Sequence, residues 1–166
     1  VTTLVQDIID DPTNSFGFRL KLQTEVYYRS VILASSDVGD TTLHPKIVIT
    51  YTEGNIECLT LRPDSTEGKD ACVTDYTPNA VGGASNDFVI YAWTHSGTPE
   101  IKRSFIDFNF SLIPAGSTIS SATLYLYNYP TSVSTNGEHG QISGTNEMSL
   151  ERVISSWTEQ TITWNN

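Results

Sequence analysis

Apolar and polar residues alternate with a period of two along most of the chain. The exception is the segment 2–10, where Leu4, Val5, Ile8 and Ile9 recur at helical spacing and fall on one face. That spacing predicts one short amphipathic helix, ended by Pro12, Asn14 and Gly17. Alternation begins with Phe18-Arg19-Leu20-Lys21-Leu22, a pattern suited to a strand buried on one face. Further strands are expected over 30–34, 46–51, 58–61, 71–73, 88–93, 103–108, 121–129 and 148–153. Asp37, Gly39 and Asp40 mark the turn between the second and third strands, and Pro114-Ala115-Gly116 makes 103–108 and 121–129 neighbours. Residues 131–146, rich in Ser, Thr, Asn and Gly, predict a long surface loop.

Many short strands and almost no helix imply an all-β fold, an antiparallel β-sandwich of jelly-roll type with one short N-terminal helix. The polar break Glu53-Gly54-Asn55 is the best internal boundary and divides 1–53 from 54–166.

Composition narrows the function classes. The 166 residues, 38% of them hydrophobic, are enough for one domain with its own core. Nine Lys and Arg against nineteen Asp and Glu leave a formal charge of −10, which repels phosphate backbones, so nucleic acid is not an expected partner. No apolar run approaches the roughly 18 residues of a membrane span, so membrane insertion is not expected. The start at Val1 lacks the basic and apolar stretches of a signal peptide, which fits a removed leader and a start inside a longer chain equally well. Two cysteines, Cys58 and Cys72, allow a single disulfide. Sparse cysteine pairs persist mainly in secreted β-domains, so a bridge worth about 3 kcal/mol is expected, with two buried free thiols as the alternative.

Candidate chemistry is thin for an enzyme. His44, His95 and His139 fall in loops or at strand ends, and no Ser or Cys motif builds a nucleophile elbow. The adjacent acids Asp10 and Asp11 diverge into water instead of facing across a cleft, as glycoside hydrolysis requires. Catalysis and a bound cofactor are therefore not expected. Asp64, Glu67, Asp70 and Asp75 cluster around turns and would suit calcium, although solvated turn carboxylates account for them more simply. In Leu124-Tyr125-Leu126-Tyr127-Asn128-Tyr129, alternation sends the leucines to one face and Tyr125, Tyr127 and Tyr129 to the other. Such a stripe stacks on sugar rings, or is covered by another subunit, or is buried under the domain's own loops. Trp93 with these tyrosines would line a sugar groove.

Several segments together resemble one family. They are Leu61-Arg62-Pro63-Asp64, Gly68-Lys69-Asp70-Ala71, Arg103-Ser104-Phe105-Ile106-Asp107-Phe108, Ile113-Pro114-Ala115-Gly116, Ile119 to Leu126, Arg152-Val153, Ser156-Trp157-Thr158-Glu159 and Thr163-Trp164-Asn165-Asn166. The family is DNRLRE, a domain of secreted and surface proteins that includes or borders carbohydrate-binding modules. Segments that normally follow its Trp-Asn-Asn stretch stand here at the opposite end, as 1–6, 17–22, 34–36 and 45–51. The resemblance thus implies that the domain's C-terminal half precedes its N-terminal half, and that each half needs the other to satisfy its backbone. Donation of Phe18, Leu20, Leu22, Val31, Leu33, Ile47 and Ile49 into a neighbouring unit would satisfy both and build a homopolymer, and packing of both halves within one chain is the alternative. Two functions follow as expectations: a structural subunit of an extracellular or cell-surface fibre, or a module that binds polysaccharide.

Overall fold

The computed structural model describes residues 1–64, 68–129 and 145–166. Among these, helix α1 (Thr2–Asp10) precedes nine strands: β1 (Phe18–Leu22), β2 (Arg29–Ala34), β3 (Lys46–Glu53), β4 (Asn55–Leu61), β5 (Gly68–Thr74), β6 (Asp87–His95), β7 (Thr98–Phe108), β8 (Thr118–Tyr125) and β9 (Met148–Arg152). The helix is the one the spacing predicts, with Val5, Ile8 and Ile9 buried. All strand pairs are antiparallel and form two sheets, one ordered β2-β6-β7-β1-β9 with β5 also paired to β7, the other β4-β3-β8. The fold is all-β, as the alternation implies. Phe18, Leu20 and Leu22 of β1 meet Ile47 and Ile49 of β3, Phe88 and Ile90 of β6, Ile106 and Phe108 of β7 and the apolar face of α1 in one core.

The turn residues of the sequence lead between sheets more often than between neighbours. The segment after β2 crosses to β3 in the smaller sheet, and the Pro114–Gly116 turn crosses from β7 to β8. Turn chemistry sets a local reversal but does not say which sheet receives the next strand. The β6–β7 connection is a true hairpin: Ser96 and Gly97, at φ 50 and 85, form a two-residue turn of positive φ that matches strand twist.

Strand donation to a neighbour finds no support in the pairing of these strands. β1 lies between β7 and β9, and β3 lies between β4 and β8, so Phe18, Leu20, Leu22, Ile47 and Ile49 are buried within their own chain. Leu33 is buried and Val31 half-buried on β2, which pairs with β6. The physical reason is proximity. A segment already tethered to the open sheets fills them without the translational cost that a second molecule would bear.

Two of the sheet edges, those of β8 and β2, are covered from within. The Thr2 Oγ1 accepts from the Ala122 N–H at 3.1 Å and the Gln6 Oε1 from the Ile119 N–H at 2.8 Å, so α1 caps the free edge of β8. On β2, Ala34 donates to the Tyr127 carbonyl at 2.9 Å and Leu33 bridges to Asn128.

Candidate functional site

The β6–β7 hairpin and the end of β5 gather an aromatic rim. On β6, Tyr91, Trp93 and His95 are separated by two residues and share a face; Trp93 sits opposite Glu100 and Tyr91 opposite Lys102. Thr74 of β5 pairs with Lys102 from the other side, which places Tyr76 beside His95, their rings 4.5 Å apart. The Tyr28 ring meets the Trp93 ring edge-on at 5.4 Å, and the Lys102 ammonium lies 5.1 Å above the Tyr91 ring.

Glu100 is the polar centre of the rim. It is 4% exposed, and its carboxylate accepts from the Tyr91 hydroxyl at 2.6 Å and the Thr74 hydroxyl at 2.7 Å, with the His95 Nδ1 at 3.9 Å. Burial and then the adjacent carboxylate push the Tyr91 phenol well above its ordinary range, so its proton stays in place. Asp75 accepts from the Ile101 N–H at 2.7 Å and fastens the end of β5 to β7.

The segment before β2 completes the rim. Tyr28 adopts φ 71, a left-handed conformation that is strained for a bulky side chain, and its N–H donates to the Ala92 carbonyl at 2.7 Å. Arg103 grips Glu25 with two hydrogen bonds of 2.8 and 2.9 Å, which raises its pKa, and stacks 4.5 Å over the Trp164 ring. Tyr27, Tyr28 and Tyr76 thereby stand exposed on an anchored surface. Flat apolar rings beside fixed carboxylate, hydroxyl and ammonium groups suit a ligand with an apolar face and hydroxyls along its edge.

Of the residues singled out in the sequence, Trp93 and Tyr129 each pack on the cluster of Ile32, Val89 and Tyr91. Tyr125 does not join them. β8 ends at Tyr125, beside Lys46, while Tyr127 to Tyr129 leave to cover the edge of β2, so the expected stripe is split between two sheets. Tyr28, Tyr76, His95 and Glu100 were not singled out as a site. The signal for Tyr28 was a Tyr-Tyr pair placed in a polar turn, which the period-two pattern does not register.

The expected disulfide does not form: Cys58 and Cys72 are free thiols. Cys58 lies opposite Thr50 in the smaller sheet and is exposed, whereas Cys72 lies opposite Ser104 in the larger one, so the two are not on adjacent strands. The carboxylates considered for calcium are dispersed too. Asp70 is buried at one end of β5 and accepts from the Ser36 N–H, Asp75 serves Ile101 at the other end, and Asp64 is exposed beyond β4. Among the described residues no group of three or more His, Cys, Asp or Glu could hold a metal. Asp10 and Asp11 receive local bonds from Gln6 and Asn14, and His44 contacts the Val38 carbonyl. Glu67, His139 and most of the 131–146 loop lie outside the described residues.

No helix among the described residues is long and apolar enough to cross a membrane. Residues 63–166 match the model of carbohydrate-binding module family 96. No curated protein and no solved structure matches the chain.

Proposed function

The chain belongs to carbohydrate-binding module family 96, and on that premise we propose that it is a non-catalytic module of an extracellular or cell-surface protein that holds polysaccharide on its aromatic rim. The observation that carries the reading is Tyr28, kept in a strained conformation and set edge-on to Trp93 beside a buried, fully engaged Glu100. Sugar rings would lie on Tyr28, Trp93 and Tyr76, with their hydroxyls toward Lys102 and His95.

Residues 1–53 enter as the segment that completes the family domain. In this reading the reversed order of the DNRLRE-like segments is a permutation closed inside one chain. The fibre reading depended on interior positions being filled from a neighbour, and β1 and β3 already fill them. Affinity electrophoresis through gels carrying a panel of neutral and acidic polysaccharides tests the proposal. At least one polysaccharide should retard the protein, and Trp93→Ala should weaken that retardation strongly. A protein that runs unretarded in every gel would overturn it.

A further inference from the structure

At the other end of β7 from the aromatic rim, α1 and the segment following β7 enclose a cleft of about 630 Å³, within the range of small-molecule sites. Asp107 lies about 17 Å along β7 from Lys102, at roughly 3.4 Å per residue, so a single sugar ring cannot touch both places. Ile8 and Ile9 of α1 and Phe110 give the cleft an apolar floor, and Lys69, Asp107 and Asn109 give it a polar wall.

The wall is arranged as an acceptor between donors. Asp107 accepts the Phe108 N–H at 2.9 Å and lies 3.6 Å from the Lys69 ammonium, leaving lone pairs on a carboxylate whose partial burial raises its pKa despite the lysine. Lys69 is fixed in turn by the Trp157 carbonyl at 2.7 Å and by the Trp157 ring, 4.3 Å away. Asn109 uses its carbonyl oxygen on the N–H and the hydroxyl of Ser111, so its amide N–H groups keep no partner among the described residues. Neighbouring hydroxyls of a pyranose each donate one bond and accept another. A carboxylate flanked by an ammonium and an amide offers that pattern, while the apolar floor matches the C–H face of the ring. The charge of Lys69 is already matched by Asp107, which leaves no excess positive charge for a uronate.

From this geometry we infer that the cleft is a second carbohydrate site, which takes a neutral pyranose with vicinal hydroxyls. The inference rests on the carbohydrate reading above and concerns a different surface. The test is amide-resolved NMR titration of the wild type and of Trp93→Ala with glucose, mannose, galactose, xylose, their disaccharides and glucuronate. A neutral sugar should shift the Lys69, Asn109 and Ser111 amides equally in both proteins. Asp107→Asn, which keeps the shape, and Asn109→Asp, which keeps the acceptor for Ser111 and removes the donor, should each weaken that response roughly tenfold or more, with unfolding temperature unchanged. Cleft shifts without any retardation of the wild type in polysaccharide gels would support the cleft while sinking the rim. Shifts confined to the rim, or glucuronate bound in the cleft as tightly as the neutral sugars, would overturn the inference.

Discussion

Tyr28 stands edge-on to Trp93 with ring centroids 5.4 Å apart and planes at 85°, and it reaches that position from φ 71. A left-handed conformation costs a bulky residue on the order of 1–2 kcal/mol, which glycine would not bear. Stability is thus given up for the placement of a ring. Tyr28→Gly should leave the unfolding temperature within a few degrees of the parent, because relief of strain offsets the lost contact, and should reduce polysaccharide retention strongly. Undiminished retention would show that the ring is not a contact.

The cysteines differ in environment and should differ in reactivity. Cys58 is exposed on β4, whereas the Cys72 thiol packs against the second cluster, 3.6 Å from the Val89 carbonyl, and burial pushes its pKa up. Without reductant or denaturant, a thiol reagent should modify one cysteine quickly and the other only as the fold opens. Absence of any reactive thiol, before and after denaturation, would restore the disulfide.

The parts of this fold that follow from local physics are legible in the chain. The helix reads from Leu4, Val5, Ile8 and Ile9, and β1 reads from the alternation Phe18, Leu20, Leu22, because one buried face leaves a periodic trace. β6 left a weaker trace, since Phe88 and Ile90 enter the main core while Val89 and Tyr91 enter the second cluster and both faces are buried. Strand partnership was not legible. Nothing local in Cys58 or Cys72 says that β4 and β5 belong to different sheets, and nothing local in Tyr125 and Tyr127 says that the chain changes sheets between them. Trp93 was found because it is an aromatic residue on a strand. Glu100, Tyr76 and Tyr28 join it only through non-local pairing.

Asp70 links stability to pH. It is 1% exposed, and burial raises its pKa to about 7, a rise opposed by the Ser36 N–H and reinforced by Asp37 and Glu159. The folded state therefore holds a proton that the unfolded chain releases near pH 4, and stability falls as pH rises from about 4 to about 7, then levels off. The full effect is on the order of 4 kcal/mol. Asp70→Asn, whose amide oxygen still accepts from Ser36, should flatten the dependence of the urea midpoint over that window. An unchanged slope would assign the dependence to other groups.

Gln6, with Thr2, closes the β8 edge of the smaller sheet. Its Oε1 accepts from the Ile119 N–H at 2.8 Å and its Nε2 donates to the Ser117 carbonyl at 3.1 Å, so one side chain of α1 makes the two bonds that a neighbouring strand would otherwise offer β8. Capping of this kind removes the template for edge-to-edge pairing between molecules. The wild type should accordingly sediment as a monomer in dilute solution. Gln6→Ala strands the Ile119 N–H and should destabilise the fold by about 1–3 kcal/mol. It should also introduce concentration-dependent association, as the freed edge pairs with another copy. Gln6→Glu keeps the acceptor for Ile119 and loses the donor to Ser117, so it should fall between the two in stability and remain monomeric. A wild type that polymerises would show that the edges are not closed within the chain, and a Gln6→Ala variant as stable and as monomeric as its parent would remove the helix from that role.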